Sequence, residues 1–520
     1  MVVFKTPGVY VKEINAFPNA VVEVPTAVPA FIGCTQKAVY GNQSLANKPT
    51  RIASFTEYVN LFGGPPDTRF AYTATAAPAT GFVITIDPAT QYYFYASMRL
   101  FFDNGGGECY IVSVGQFDQV TRAGGMPAMS TAVLCDTPLQ MLLTEQEPTM
   151  LVVPDAVLLS LPNWQYTYQQ MLMHCTEMQS RIAIFDVYDG YKARDYDSTN
   201  DVISGTNGFR GQINAAVGLN YGVAYYPWLD TSSVTDDSEV DYGFLSEDSK
   251  PAFVAALKAE AAVNFPAATD GTPDPKLAML SAAIDMITLP ATSTDPVQAK
   301  KDRASTHQTL KSVSPLYQNV MTEILRQLNI VPPSGAMAGV YTQVDTTFGV
   351  FQAPANVGIN SAIKPTVSVT DNDQEDLNLP PDGKAINAIR DFPGRGLLVW
   401  GARTLDGNSP DWKYINVRRT MIMLEQSIKS AAQAYVFEPN TQSTWIALKS
   451  MISDFLTNQW KSGALVGATP SDAFSVDIGL GSTMTGEDVL NGYMIITVKV
   501  ALTHPAEFIV ITFQQKMQKS

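Results

Sequence analysis

The sequence predicts a multidomain protein of mixed α/β and α+β class, with a β-strand near each end. Three observations carry this. Between Leu151 and about Asp230, apolar β-rich runs alternate with helical patterns, the layout of a parallel sheet with crossover helices. The last third holds two long helical stripes. Each end carries a short β-branched and aromatic run set off by proline.

At the N-terminal end, Pro7 and Gly8 break the chain before Val9–Ile14. There Val9, Val11 and Glu13 share one face, while Tyr10, Lys12 and Ile14 share the other. Neither face is cleanly polar, so such a strand must join a sheet or fray. Ala30–Cys34 reads as a buried strand. Ser54–Phe62 reads as a short helix, because Ser54 can cap it, Glu57 stands three residues on, and Gly63-Gly64-Pro65-Pro66 stop it. Gln91–Phe102 reads as an aromatic helix leading through Gly105-Gly106-Gly107 into strand Cys109–Val114.

Strands are expected at Met150–Val153, Ile182–Val187 and Gly222–Tyr226, with helices at Tyr166–Met178 and Gly211–Gly218. Asp230–Lys250 and Thr269–Lys276 are acidic or polar and read as outer loops. Val320, Ile324 and Leu328 mark a helix closed by Pro332-Pro333. The acidic run Asp371–Asp376 reads as a solvated loop: it lacks the glycine and closing glutamate of a calcium loop. Gly396–Trp400 is a strand and Asn416–Tyr435 a helix. Asn440 is expected to cap the next helix, whose stripe is Trp445, Leu448, Ile452 and Phe455, with Gly463 as its stop. Tyr493–Leu502 is a strand; Pro505 breaks it, and Glu507–Phe513 follows as another.

Composition narrows the function. The net charge of -15 opposes a general nucleic-acid binder, which needs a basic footprint. The densest cationic run, Lys300-Lys301-Asp302-Arg303, reads as a solvated helix face. Charged residues make up 16%, below the usual ~25%, which suits a surface covered by partners. No apolar run approaches the ~20 residues of a membrane span, and no leader pattern precedes Pro7. Synthesis in the cytoplasm is expected, with Cys34, Cys109, Cys135 and Cys175 as buried thiols.

Catalytic patterns are missing. His174, His307 and His504 are isolated, so no metal-spaced pair arises. His174 and Cys175 are adjacent on a helix and point about 100° apart, wrong for a nucleophile–base pair. The glycine run 105–107 lacks the Lys-Ser/Thr and following helix of a phosphate loop. Gly479–Gly486 precedes a strand and reads as a loop. No catalytic residue, cofactor or metal is assigned.

Several blocks resemble the contractile tail sheath proteins of phage tails and related extracellular injection systems. These are TPGVYVKEI, VPTAVPAFIG, FGG after a short helix, the aromatic helix with GGG and CYIVSV, and VPPSGAMAGVYTQVDTTFGVFQAPAN (Val331–Asn356). The run from Gly396 through Arg418-Arg419, Phe437-Glu438-Pro439-Asn440, Trp445 and Gly463-Ala464-Leu465 is similar to that family's C-terminal half. The resemblance implies a common sheath domain built from both ends of the chain, with an inserted α/β region. It divides the chain into an N-terminal arm (1–20), a first body part (21–115), an inserted region (116–362), a C-terminal sheath domain (363–504) and a C-terminal arm (505–520).

It further implies a homo-polymer of stacked six-membered rings around an inner tube protein, bounded by baseplate and terminal cap proteins, with no membrane insertion. The sheath would contract from a metastable extended state. The arms would cross into neighbouring subunits and complete their sheets: Val9, Tyr10, Val11 and Ile14 at one end, Phe508, Ile509, Val510, Ile511 and Phe513 at the other. Pro7, Gly8 and Pro505 would be the hinges. The tube-facing candidate is the helix bearing Lys449, Asp454 and Lys461. In the type VI secretion version two chains share the sheath and one recruits an ATP-driven recycler. Here both terminal regions lie on one chain, which suits a single-use particle. The alternative reading is a carbohydrate-binding or carbohydrate-active particle protein whose aromatics line a sugar site, and those aromatics mostly fall at core spacing.

Overall fold

The computed structural model of the chain describes residues 20–75, 81–117, 132–213, 217–234, 240–266, 275–289 and 295–511. Two compact units emerge, Thr26–Arg418 and Arg419–Ser520 together with Met1–Pro25.

The larger unit is organised by an eight-stranded sheet. Its strands are β1 (Pro29–Thr35), β2 (Thr50–Ile52), β3 (Cys109–Gln116), β4 (Met150–Val152), β5 (Ile182–Asp186), β6 (Gly222–Tyr226), β7 (Asn387–Phe392) and β8 (Gly396–Trp400). In space the order is β8-β7-β6-β5-β4-β1-β3-β2. The inner six are parallel; β2 and β8 run antiparallel at the two edges. Strands β1, β4, β5 and β6 are buried along their whole length. That is why their sequences are unbroken apolar runs rather than alternating ones.

Three helices cover this sheet. Helix α1 (Phe94–Asp103) sets Phe94 and Phe101 edge-on to Phe31 of β1, at 6.4 and 5.1 Å between ring centroids. Helix α2 (Leu161–Met178) buries Trp164, Tyr168, Met171 and Leu172; Tyr168 lies 4.4 Å from Phe185 of β5. It begins five residues before the predicted Tyr166 because Pro162 sits in its first turn, where the missing N–H costs nothing. Helix α3 (Ser334–Phe348) packs on α1 through Gly335 and Gly339. A Cβ at Gly335 would lie 2.5 Å from the Ser97 carbonyl oxygen, and one at Gly339 2.4 Å from that of Phe101. Side-chain-free positions four apart let the two backbones touch, which explains the PSGAMAG block.

Between β6 and α3 the chain leaves the sheet for a second core. A neck of three short antiparallel strands, with Leu229–Thr231 between Ile330–Val331 and Ala362–Pro365, marks the departure. Beyond it lie helices Lys250–Asn264, Pro275–Asp285, Pro296–Val313 and Pro315–Leu328, with the hairpin Phe70–Ala74/Phe82–Ile86. Phe70, Tyr72, Phe253, Leu257, Tyr317 and Ile324 are buried together there. The cationic run 300–303 rides on one of these helices, as expected, with Lys300, Lys301 and Arg303 exposed.

Four expectations need correction. Gly479–Gly486, expected to precede a strand, leads instead into helix Gly486–Leu490, opened by a capping box between Thr485 and Asp488. The predicted helix Gly211–Gly218 is instead a four-residue turn of helix, Phe209–Gln212. Asp371–Asp376 is not a loop: Asp371–Asn378 is helical, started by a reciprocal capping box between Thr370 and Asp373. The acids in its first turn also favour the helix N-terminus. Asp376 then meets Arg194 and Arg210 at 2.5 and 2.9 Å, and Arg194 also holds Asp201 at 2.9 Å. Asn440 does not cap the helix after it; Thr441 occupies that position.

The smaller unit contains α4 (Ile415–Ala432) from Arg419 onward, α5 (Gln442–Ser462), strand β9 (Phe474–Ile478), a short helix α6 (Gly486–Leu490) and strand β10 (Ile496–Val500). The stripe Leu448, Ile452 and Phe455 of α5 is buried as its spacing predicts. Gly463 ends α5 with φ 93°, a conformation that favours glycine.

Candidate assembly surfaces

In doubly wound sheets, ligands bind at the carboxyl ends of the strands where the strand order reverses. Here that place, between β1 and β4, is filled by the chain itself. Asp155, fully buried, accepts hydrogen bonds from the N–H groups of Tyr93 and Phe94 at the start of α1, at 2.7 and 3.2 Å. A Cβ on the neighbouring Gly33 would strike the Phe94 ring at 2.3 Å. The anion-binding end of α1 is thus occupied by an internal carboxylate.

The other chemical candidates are structural. Arg181 donates to Nε2 of His174 at 3.3 Å and to the Leu142 carbonyl at 3.2 Å. Burial, together with the Arg181 charge, lowers the His174 pKa to about 4. Burial also pushes the Cys175 thiol up to about 12, so at neutral pH the thiol stays protonated and the neighbouring imidazole is too weak a base to take its proton. All four cysteines are buried thiols outside any disulfide. Among the described residues no group of His, Cys, Asp and Glu is arranged to hold a metal ion, and no helix is long and apolar enough to cross a membrane. The aromatics that a sugar site would need, such as Trp164, Tyr168 and Phe209, lie in the core.

What the smaller unit exposes is backbone and apolar surface. Strands β9 and β10 pair antiparallel from Phe474↔Val500 to Ile478↔Ile496 and, among the described residues, form a sheet of two strands. A two-stranded sheet is marginal alone, and its outer edges offer unpaired N–H and C=O groups. After β10 the chain is tied down once more: the Thr503 hydroxyl donates to the Gly463 carbonyl at 2.7 Å, and Leu502 bridges Leu465. Beyond Pro505 the sequence predicts a strand, yet residues 507–511 form no ladder within the subunit. Phe508, Ile509, Val510 and Ile511 are all at least two-thirds exposed. Four consecutive large apolar residues in water are an unusual arrangement for a segment without a partner surface.

At the other end, Gln459 donates to Glu23 at 2.9 Å and the Val24 N–H donates to the Ser427 hydroxyl at 3.0 Å. Glu23 and Val24 therefore lie beside α5 and α4. Pro7, Gly8, Val9, Tyr10, Val11 and Ile14, and likewise Phe513, lie outside the described residues. Lys449, Asp454 and Lys461 are all exposed on α5. At ~100° per residue, Asp454 and Lys461 share one stripe, whereas Lys449 sits well round the helix toward its flank.

One feature escaped sequence reasoning. Asn440 does not cap α5; its Nδ2 donates to the Tyr493 carbonyl at 2.9 Å, and its Oδ1 accepts from Trp445 Nε1 at 2.7 Å. The side chain clamps two loops distant in sequence. An Asn before a helix looks like a cap, and nothing local distinguishes the two roles.

With this geometry in view, the comparisons with known proteins agree on one class. Residues 408–516 match the model of the phage tail sheath C-terminal domain. The chain is 28% identical over 141 residues to the tail sheath protein of Burkholderia phage BcepMu, a match covering 26% of this chain and 29% of that one. It is 36% identical over 73 residues to the tail sheath protein of Vibrio phage KVP40, covering 14% and 11% respectively. The matches thus span less than a third of either phage relative. Among solved structures, the contracted sheath complex of the extracellular contractile injection system PVC is similar at 25% identity, with TM-score 0.58 and 99% of each chain covered. The contracted helical sheath of the anti-feeding prophage AFP is similar at 25% identity and TM-score 0.58, covering 99% of this chain and 100% of that one. The fold is that of a contractile sheath subunit. Residues 408–516 carry the sheath C-terminal domain, and over nearly its whole length the chain is similar to sheath subunits of contractile injection systems.

Proposed function

We propose that this chain polymerises as stacked six-membered rings around an inner tube, and that contraction of the polymer from a metastable extended state drives the tube through a target envelope. One observation carries the reading: the exposed apolar run Phe508–Ile511 belongs to the same unit as a sheet that has two strands among the described residues. Strand addition between copies satisfies both. The segment 1–20 acts in the same way from the other end, hinged at Pro7-Gly8, as 505–520 is hinged at Pro505. The segments 21–115 and 363–504 supply the sheath body, and 116–362 supplies the insertion.

If arms stay paired while bodies rotate, the lattice shortens without separating. The work comes from extra interface in the contracted form. Burying ~100 Å² more apolar surface per subunit releases about 2.5 kcal/mol at ~25 cal/mol per Å², a gain repeated along the lattice without nucleotide. The outward stripe of α5 with Asp454 and Lys461, flanked by Lys449, faces the tube protein. Baseplate and cap proteins close the ends. The role is structural rather than enzymatic, in a particle assembled in the bacterial cytoplasm.

The test is truncation. Deleting residues 1–15, or 507–520, should leave a folded protein by circular dichroism that forms no tubes in negative stain. Normal contractile sheaths from either truncation would refute the exchange of arms.

A further inference from the structure

We propose that a surface around Phe437 and Tyr493 is the docking site for the C-terminal segment of a second copy, fixing the register in which that segment adds to the sheet. The proposal rests on the arm-exchange reading above and specifies where side chains, rather than backbone, are recognised.

Phe437 is fully exposed and holds φ at 72°, a region that bulky residues rarely occupy. It is nevertheless not on a loose loop. The Asn440 clamp ties residues 436–441 to the turn at Tyr493, which is itself closed by the Tyr493 N–H donating to the Asp488 carbonyl at 2.8 Å. Asn440 thus holds the turn bearing Val436 and Phe437 to the turn bearing Leu490 and Tyr493, and all four side chains are mostly exposed. At ~150–250 Å² for a large aromatic side chain, the four present roughly 400–500 Å² of apolar surface. That is the size of the largest patch on a typical monomer and about half of one side of a standard interface.

The occupant is argued from the same chain. Phe508–Ile511 is an exposed apolar segment of matching scale, left off the platform in the single subunit. In extended form Phe508 and Val510 fall on one side and Ile509 and Ile511 on the other, so one side can pair with a platform while the backbone pairs with a strand edge. Charge agrees. The two turns also carry the exposed carboxylates of Glu438 and Glu487, and the segment, preceded by Glu507, is followed in sequence by Lys516 and Lys519, a net +1 over these three side chains. The chain as a whole carries -15, so the basic tail suits these turns better than another acidic body would.

Disulfide trapping tests this in the full chain, where the four native thiols are buried. Phe437→Cys protein is mixed with Phe508→Cys or Ile509→Cys protein under assembly conditions and oxidised. The expected result is a disulfide-linked dimer with one of the two partners, at least tenfold above Phe437→Cys alone. A control pairs Lys499→Cys, on β10, with the same arm variants. Dimers in the control but with neither partner of Phe437→Cys would overturn the docking site and leave arm exchange standing. Dimers in neither would overturn both. A strong dimer from Phe437→Cys alone would mean that two platforms meet each other, and would also overturn the proposal. In parallel, Phe437→Ser should keep its circular dichroism spectrum and lower the sedimentable polymer at least tenfold; unchanged polymer would refute the role.

Discussion

Asp186 allows a prediction with a definite sign. It ends β5, is fully buried, and receives the Ser334 N–H at 2.8 Å and the Ser334 hydroxyl at 2.5 Å where α3 begins. Burial raises its pKa from 3.8 to about 7, only partly opposed by those two donors. Below about pH 4 the folded and unfolded chains both hold this proton. Between pH 4 and 7 the unfolded chain releases it first, so the folded state loses stability as pH rises. The loss is ~1.4 kcal/mol per pH unit, amounts to about 4 kcal/mol by pH 7, and grows no further above it. Asp186→Asn can keep both contacts, its oxygen accepting from the N–H and its amide donating to the rotated hydroxyl. Relative to wild type, the variant should therefore gain about 2–3 kcal/mol between pH 5 and pH 8. Urea unfolding followed by tryptophan fluorescence at several pH values measures this as a difference in midpoints. Curves for the two proteins that run parallel across that range would show that Asp186 does not carry a buried proton.

Other outcomes follow from the same structure. Gly339→Leu forces a side chain into the Phe101 carbonyl and should cost about 3 kcal/mol, the upper range for overpacking, visible as a lower urea midpoint. Asp376→Ala strips a shared carboxylate from Arg194 and Arg210, both nearly fully buried, and should cost about 3 kcal/mol with earlier proteolysis around residues 189–208. For Asp201, burial acts to raise the pKa, but hydrogen bonds from Arg194 and Ser204 outweigh it and hold the group at about 2. The stability it contributes is present above about pH 4 and lost as pH falls toward 2, so Asp201→Asn should flatten the acid limb of a stability–pH curve.

Much of the fold was legible because burial writes itself into strand composition. Runs such as Ala30–Cys34 and Ile182–Val187 are apolar without alternation, and each is an inner strand. The stripe on α5 and the stop at Gly463 were readable for the same reason: helical periodicity and positive φ are local properties. The missed features depend on partners far away in sequence. Asp376 looks solvated until Arg194 and Arg210 are folded beside it. Asn440 looks like a cap until Tyr493 arrives 53 positions later. The segment Glu507–Phe513, expected as a strand, illustrates a further limit: residues 507–511 form no ladder within the subunit, because β-propensity favours a conformation without supplying a partner. The platform at Phe437 was unreadable because a single aromatic in a turn carries no periodicity at all.

The neck at Leu229–Thr231 has a practical reach. The second core joins the sheet-bearing layer there by strands two to four residues long, and by the hairpin Phe70–Ala74/Phe82–Ile86 that completes its packing. A foreign module could be spliced between residues 232 and 329 without disturbing the parallel strands, provided the hairpin is trimmed in the same design. Exchanging the second core then becomes a matter of cuts at the neck and at one hairpin rather than a redesign of the sheet.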